Sequence, residues 1–361
     1  MRMNRPLQAQ PHVTAMASYA LADLSIPTGK KRIMLAQNES LRPPAPGIAA
    51  AVSSAVTEAQ FYPDADWQAL RTTIADVHGV NAQQILCGAG SMELIDALMR
   101  TYAGPGRRIL TTQYAYAFIR TMAQVTQAEL DLVDEVDFTV SVDHLLAAVQ
   151  DETRVVFVAN PGNPTGTRIG RAEILRLRAE LPESVLLVVD EAYGEFADAL
   201  NEPVFDLVEQ GNTVVLRTFS KAYGLAAMRA GWGLFPPDIA GQIRKLMNPN
   251  NISAAGQAVA TAAMQDQAYM RETVALTMEI RQRFADDMRS LGLRVPTSYT
   301  NFVLVQFSSL AQAQQAEQAL RAEGILVRGM GGYGLGDCLR MTIGKAEEMQ
   351  QVTDILRAME G

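Results

Sequence analysis

The chain has 361 residues and a formal charge of −8, with 31 lysines and arginines against 39 aspartates and glutamates. That balance, without a basic run, argues against electrostatic capture of nucleic acid or of an anionic membrane. A hydrophobic fraction of 48% excludes a disordered chain, and the length calls for two domains.

The first forty or so residues show no repeating pattern and are expected to pack on a smaller domain or on a partner subunit. The N-terminus lacks the unbroken apolar core of a signal peptide, and no run reaches membrane-spanning length, so a cytoplasmic location is expected. From about residue 84 the texture becomes regular. QQILCGAG reads as a short strand and a glycine turn. SMELIDALMRTYAGPG reads as a helix, with Ile95, Leu98, Met99 and Tyr102 at helical spacing before GPG stops it. RRILTTQ and LDLVDEV read as strands, and SVDHLLAAVQ as a helix capped by Ser141. RVVFVAN, VLLVVDEAY and TVVLRTFSK are apolar, β-branched runs, with the helix RAEILRLRAEL between the first two. Continuous apolar strands alternating with helices specify an α/β fold with a mainly parallel sheet covered on both faces.

After GWGLFPPD the pattern changes. Residues 254–290 predict one long or lightly kinked helix. NFVLVQF, a helix over 310–323, GILVRGM, CLRMTIG and a last helix over 347–359 then predict a smaller α+β domain. The expected division is an N-terminal segment 1–45, a large domain 46–250 and a small domain 251–361. Cys87 and Cys338 lie far apart in apolar contexts and read as buried thiols. His12, His78 and His144 cluster neither with each other nor with the cysteines, so no metal site is expected.

Ligands of parallel α/β sheets bind beyond the carboxyl ends of the strands, so the residues after each apolar run matter most. RVVFVAN leads into PGNPTG, which carries Asn163. VLLVVD ends in Asp190, followed by Glu191 and Tyr193, and TVVLRTFS runs into Lys221. An amide, a carboxylate and an amine thus converge on one sheet edge. GAGSMEL joins a strand to a helix. Gly88 and Gly90 permit a tight turn there, and the N–H groups of Ser91 and Met92 form a helix start that attracts phosphate. Thr218 and Ser220 flank the lysine, and Arg229 follows beyond Gly224.

A lysine amine among a carboxylate, an amide and a phosphate cradle matches the needs of pyridoxal phosphate. The lysine would bind the aldehyde covalently and later carry protons, with desolvation lowering its pKa. Asp190 would pair with the pyridine N–H and keep the ring an electron sink. Asn163 and Tyr193 would hold the ring oxygen. Tyr114, in TTQYAYAF, is the candidate to cover the ring face, with Tyr116 and Phe118 as alternatives.

The stretches AQNES, FYPDADWQALR, GAGSMELI, NPGNPTG, VVDEAY, TFSKAYGLAAMRAGW, GILVRGM and CLRMTIG span most of the chain in one order. In that order the chain resembles the fold-type I pyridoxal-phosphate-dependent aminotransferases, and within them the histidinol-phosphate aminotransferases. The resemblance implies an aspartate-aminotransferase-like fold, a covalent cofactor at Lys221, and phosphate contacts from the Gly90 turn, Ser91, Met92, Thr218, Ser220 and Arg229. It implies that Tyr62 reaches the phosphate of a neighbouring subunit's cofactor, hence a homodimer with shared sites. Arg340 looks like the arginine that binds the substrate anion, and Arg328 like a second one that helps with a substrate phosphate. Tyr19 and Asn38 match substrate-side positions. Three departures bear on the substrate rather than the cofactor, one being an N-terminal lead less typical of the family than the core. The usual Asn-Glu-Asn triplet is Asn38, Glu39, Ser40 here, and an acidic residue common in the phosphate loop is Met92.

The implied reaction is transamination between an amine bearing an anionic group and a 2-oxo acid such as 2-oxoglutarate. Histidinol phosphate or an aromatic amino acid is the favoured donor. A decarboxylase of an amino-acid phosphate ester is the same-cofactor alternative, because cofactor motifs do not fix which bond breaks. A cofactor-binding regulator without catalysis is a further reading, opposed by the presence of Lys221, Arg328 and Arg340 and by the lack of an appended helix-turn-helix pattern. A dinucleotide-binding protein is the alternative from another class. Against it, the third glycine of the expected fingerprint is Glu93, and RRILTTQ ends in glutamine where an acidic residue belongs.

Overall fold

The computed structural model describes residues 7–17, 23–200 and 203–359. Among them the strands are β1 (Ile33–Met34), β2 (Ile85–Gly88), β3 (Arg108–Thr112), β4 (Glu129–Val133), β5 (Thr153–Ala159), β6 (Leu186–Asp190), β7 (Thr213–Thr218), β8 (Gly231–Leu234), β9 (Phe302–Gln306), β10 (Ile325–Leu326), β11 (Arg328–Met330) and β12 (Leu335–Thr342). A seven-stranded sheet runs in the order β2-β8-β7-β6-β5-β3-β4. Neighbours from β7 across to β4 are parallel, as the apolar runs predict. The valines and leucines of β5, β6 and β7 are almost wholly buried, because helices cover both faces.

One strand escapes the sequence reading. GWGL forms β8, which runs antiparallel to both β2 and β7. Its glycines disguise it, and they have a packing reason. A Cβ on Gly233 would lie 2.7 Å from both Leu216 and Phe235, and one on Gly231 would lie 2.4 Å from the backbone nitrogen of Ser91.

Register sets the functional edge. Ala159 pairs with Asp190, and Asp190 with Leu216, so β5, β6 and β7 end nearly level. The chain segments carrying Asn163, Tyr193 and Lys221 therefore leave from one edge of the sheet.

A second core gathers Leu35, Phe284, Met288, Val303, Leu339 and Leu356 around the antiparallel sheet β11-β12-β9. The N-terminal segment joins this smaller body: β1 pairs parallel with β10, the Leu35 N–H donates to Leu326 O, and the Thr342 N–H donates to Leu35 O. The expected long helix is two helices, Ala254–Gln265 and Gln267–Ser290. They part at Asp266, whose carboxylate caps the second by accepting the Tyr269 N–H. The second helix serves both bodies, burying Met270 and Val274 in the large core and Ile280, Phe284 and Met288 in the small one. Cys87 and Cys338 are buried and free of disulfide. No helix among the described residues is long and apolar enough to cross a membrane.

Candidate active site

A cavity of about 300 Å³ opens where the sheet edge, the N-terminal segment and the small body meet. Lys221 reaches it from the turn after β7. Its Nζ donates to the main-chain oxygens of Gln37 and Asn38, at 3.2 and 3.1 Å, and lies 5.9 Å from the Tyr193 ring centroid. Desolvation, then the nearby Arg340 and Arg229 charges, lower its pKa to about 8, although Glu39 pulls the other way. A sizeable fraction of this amine is therefore neutral, and nucleophilic, near physiological pH.

Asp190 ends β6 at 6% exposure, beside Ala192 and Tyr193, which line the cavity. Its Oδ1 accepts the Ala192 N–H at 3.1 Å, and no cationic side chain pairs with it among the described residues. Burial pushes its pKa up to about 7. Such a carboxylate lacks a positive partner, and a protonated pyridine nitrogen is one.

The anion end is built around the start of the helix Ser91–Tyr102. Gly90 precedes it at φ 77°, a conformation open to glycine, and a Cβ there would lie 2.5 Å from an Arg229 nitrogen. First-turn N–H groups of a helix have no partner within it, and Ser91 and Met92 line the cavity. Thr218, Ser220 and Arg229 line it too. The Thr218 hydroxyl donates to Ser220 Oγ at 3.1 Å, and Arg229 approaches that same oxygen at 3.5 Å. Glu93 stays structural: its carboxylate closes the turn by accepting the Ala89 N–H at 2.6 Å and is held by Asn251 at 2.8 Å. The residue that breaks the dinucleotide fingerprint thus belongs to the loop's own architecture.

Tyr193 is buried, and its hydroxyl accepts the Asn38 amide at 2.8 Å. Asn38 faces the cavity with φ 56° and is fixed by Thr342 and, through its main-chain oxygen, by Asn301. Its amide thus orients Tyr193 and its carbonyl orients Lys221. Asn301, a supporting residue absent from the sequence reading, also holds the Glu39 oxygen at 3.1 Å.

Arg340 crosses from β12. One of its terminal nitrogens donates to Asn163 Oδ1 at 2.6 Å and the other to Ala36 O at 2.9 Å, while Nε is buried without a partner among the described residues. The side chain is 8% exposed, and no carboxylate pairs with it among the described residues. Burial lowers its pKa. Arg328 sits directly opposite on β11 and lines the same cavity. Like charges facing each other across a strand pair repel, and an anion placed between them would relieve that repulsion.

The structure redirects one expectation. Tyr114 does not line the cavity; it packs 6.1 Å from Phe138, against the cluster of Leu304, Met330, Leu335 and Cys338. The chain turns after β3, with the Ala115 N–H returning to Thr112 O, and this sends Tyr114 toward the small body. Tyr116 enters the cavity instead, its hydroxyl 3.4 Å from the Met92 sulfur. Phe118 packs on the large core. Tyr62 lies outside its own protomer's cavity and is 87% exposed. Tyr19 falls outside the described residues. Met330 and Tyr333, which the sequence reading passed over, complete the wall beside Arg328.

A family model described as aminotransferase class I and II matches residues 30–356. Histidinol-phosphate aminotransferase of Paramagnetospirillum magneticum is 39% identical over 356 residues, covering 98% of each chain. Its namesake from Jannaschia sp. is 37% identical over 99% of each. The crystal structure of histidinol-phosphate aminotransferase from Sinorhizobium meliloti, in complex with pyridoxal-5′-phosphate, superposes with a TM-score of 0.90. It is 28% identical and covers 99% of this chain and all of its own. The unpaired Asp190, the helix-start cradle and the depressed lysine fit that cofactor. This chain belongs to the class I and II aminotransferases and is a pyridoxal-phosphate-dependent transaminating enzyme.

Proposed function

We propose that the amino donor is histidinol phosphate and the acceptor a 2-oxo acid such as 2-oxoglutarate. The observation that carries this reading is the facing pair Arg328 and Arg340 in one cavity, the second of them buried without a carboxylate. A dianionic phosphate monoester offsets both charges, whereas a carboxylate offsets one. The names of the relatives point to the same donor.

Ser91, Met92, Thr218, Ser220 and Arg229 hold the cofactor phosphate in this reading. Asp190 pairs with its ring nitrogen, Asn163 and Tyr193 hold the ring oxygen, and Tyr116 covers the ring face. When bound, pyridoxal phosphate supplies an electron sink for the charge left as the C–H bond beside the amine breaks. Lys221 Nζ, neutral in part and held by two carbonyls, takes that proton and carries it. Arg340 and Arg328 fix the donor at its far end, which sets the bond that faces the lysine.

Tyr62 and Phe61, 87% and 68% exposed, are consecutive aromatic residues on the surface. They suit contact with a second copy of the chain, in a cytoplasmic homodimer whose Tyr62 completes its neighbour's phosphate site. Incubating the holoenzyme with histidinol phosphate and 2-oxoglutarate should yield glutamate. Turnover of aromatic amino acids with none of histidinol phosphate would move the reading to an aromatic donor. Carbon dioxide release without amino transfer would move it to a decarboxylase.

A further inference from the structure

Tyr333 occupies a distinctive place. It sits in the short turn Gly331–Tyr333 that joins β11 to β12, so it lies on the hairpin whose strands carry Arg328 and Arg340. Its side chain lines the same cavity. The hydroxyl oxygen accepts the Ala117 N–H at 3.4 Å, a long bond that holds it only loosely. Its own proton has no acceptor among the described residues. Arg340 and Tyr193 both lie within electrostatic reach of the phenol.

We infer that the Tyr333 hydroxyl donates to the substrate's phosphate and makes this end of the cavity select a phosphate over a carboxylate. The inference rests on the donor reading above. A phosphate monoester presents three terminal oxygens, and a carboxylate two. Arg340 already spends two N–H groups on Asn163 and Ala36. Arg340 Nε and Arg328 present donors from the paired strands, and the phenol adds one from the turn that joins them. Gly334, at φ 79°, takes the left-handed conformation that ends the turn directly after Tyr333.

The test compares the unsubstituted holoenzyme with Tyr333→Phe on two donors, histidinol phosphate and phenylalanine, with inorganic phosphate as a competitive inhibitor. A hydrogen bond to a charged group corresponds to roughly a 10- to 100-fold effect. We expect kcat/KM for histidinol phosphate to fall by that order, mostly through KM. The inhibition constant of phosphate should rise in parallel, and phenylalanine should change by less than about 3-fold, as no such bond is lost. Thermal melting of the variant within a few degrees of the parent shows that the fold is kept. Equal losses on both donors, or an unchanged constant for phosphate, would overturn the inference while leaving the donor reading intact. Absence of histidinol phosphate turnover by the unsubstituted enzyme would sink the donor reading, and this inference with it.

Discussion

Replacing Asp190 with asparagine should stabilise the cofactor-free protein at alkaline pH while weakening its grip on the cofactor. The carboxylate is 6% exposed, and burial raises its pKa from 3.8 to about 7. A carboxyl whose folded pKa is raised holds more protons folded than unfolded between those values. Its contribution to stability is therefore full below pH 3.8 and is lost as pH rises through 7. At 1.36 kcal/mol per unit, the loss between pH 5 and 8 is on the order of 3 kcal/mol. Asparagine keeps the oxygen that accepts the Ala192 N–H and never charges. Glu135 and Glu195, also raised to about 7 by burial, titrate in both proteins and cancel in the comparison. Urea unfolding of both cofactor-free proteins at pH 5 and pH 8 reads the effect. The parent should lose on the order of 3 kcal/mol more than the variant across that range. Adding pyridoxal phosphate at pH 8 should restore the parent and rescue the variant far less. Parallel pH dependences of the two proteins would refute the view of Asp190 as a carboxylate awaiting a cation.

Tyr116→Ala should weaken pyridoxal phosphate binding by about 2- to 10-fold, the size of one aromatic contact, and Tyr114→Ala should leave it nearly unchanged. A fluorescence titration checks this, and a larger loss at Tyr114 would reverse the assignment. Arg217→Leu should lower unfolding free energy by about 3–5 kcal/mol, because Arg217, 1% exposed, pairs with Glu191 at 2.7 Å and Asp198 at 2.8 Å, and its loss strands buried carboxylate. Urea denaturation measures it, and a loss below about 1 kcal/mol would show that the cluster contributes little.

How much of this could be read from the residues follows from which signals act along the chain and which act across it. The parallel strands were legible because β5, β6 and β7 are buried on both faces and so are apolar without interruption. Asn163, Asp190 and Lys221 were legible because each follows such a run, and level registers carry them to one edge. β8 was not, since its pattern answers to close packing on the Ser91 helix rather than to strand propensity. Tyr114 and Tyr116 stand two residues apart in a turn, and only the direction of that turn decides which ring enters the cavity. Tyr333 and Asn301 were silent for a deeper reason: each acts on groups far along the chain, Ala117 in one case and Asn38 and Glu39 in the other. Local pattern thus reports the strand ends proposed to hold the cofactor. The residues proposed to select the substrate come together through pairing of β11 with β12 and the meeting of the small body with the sheet edge.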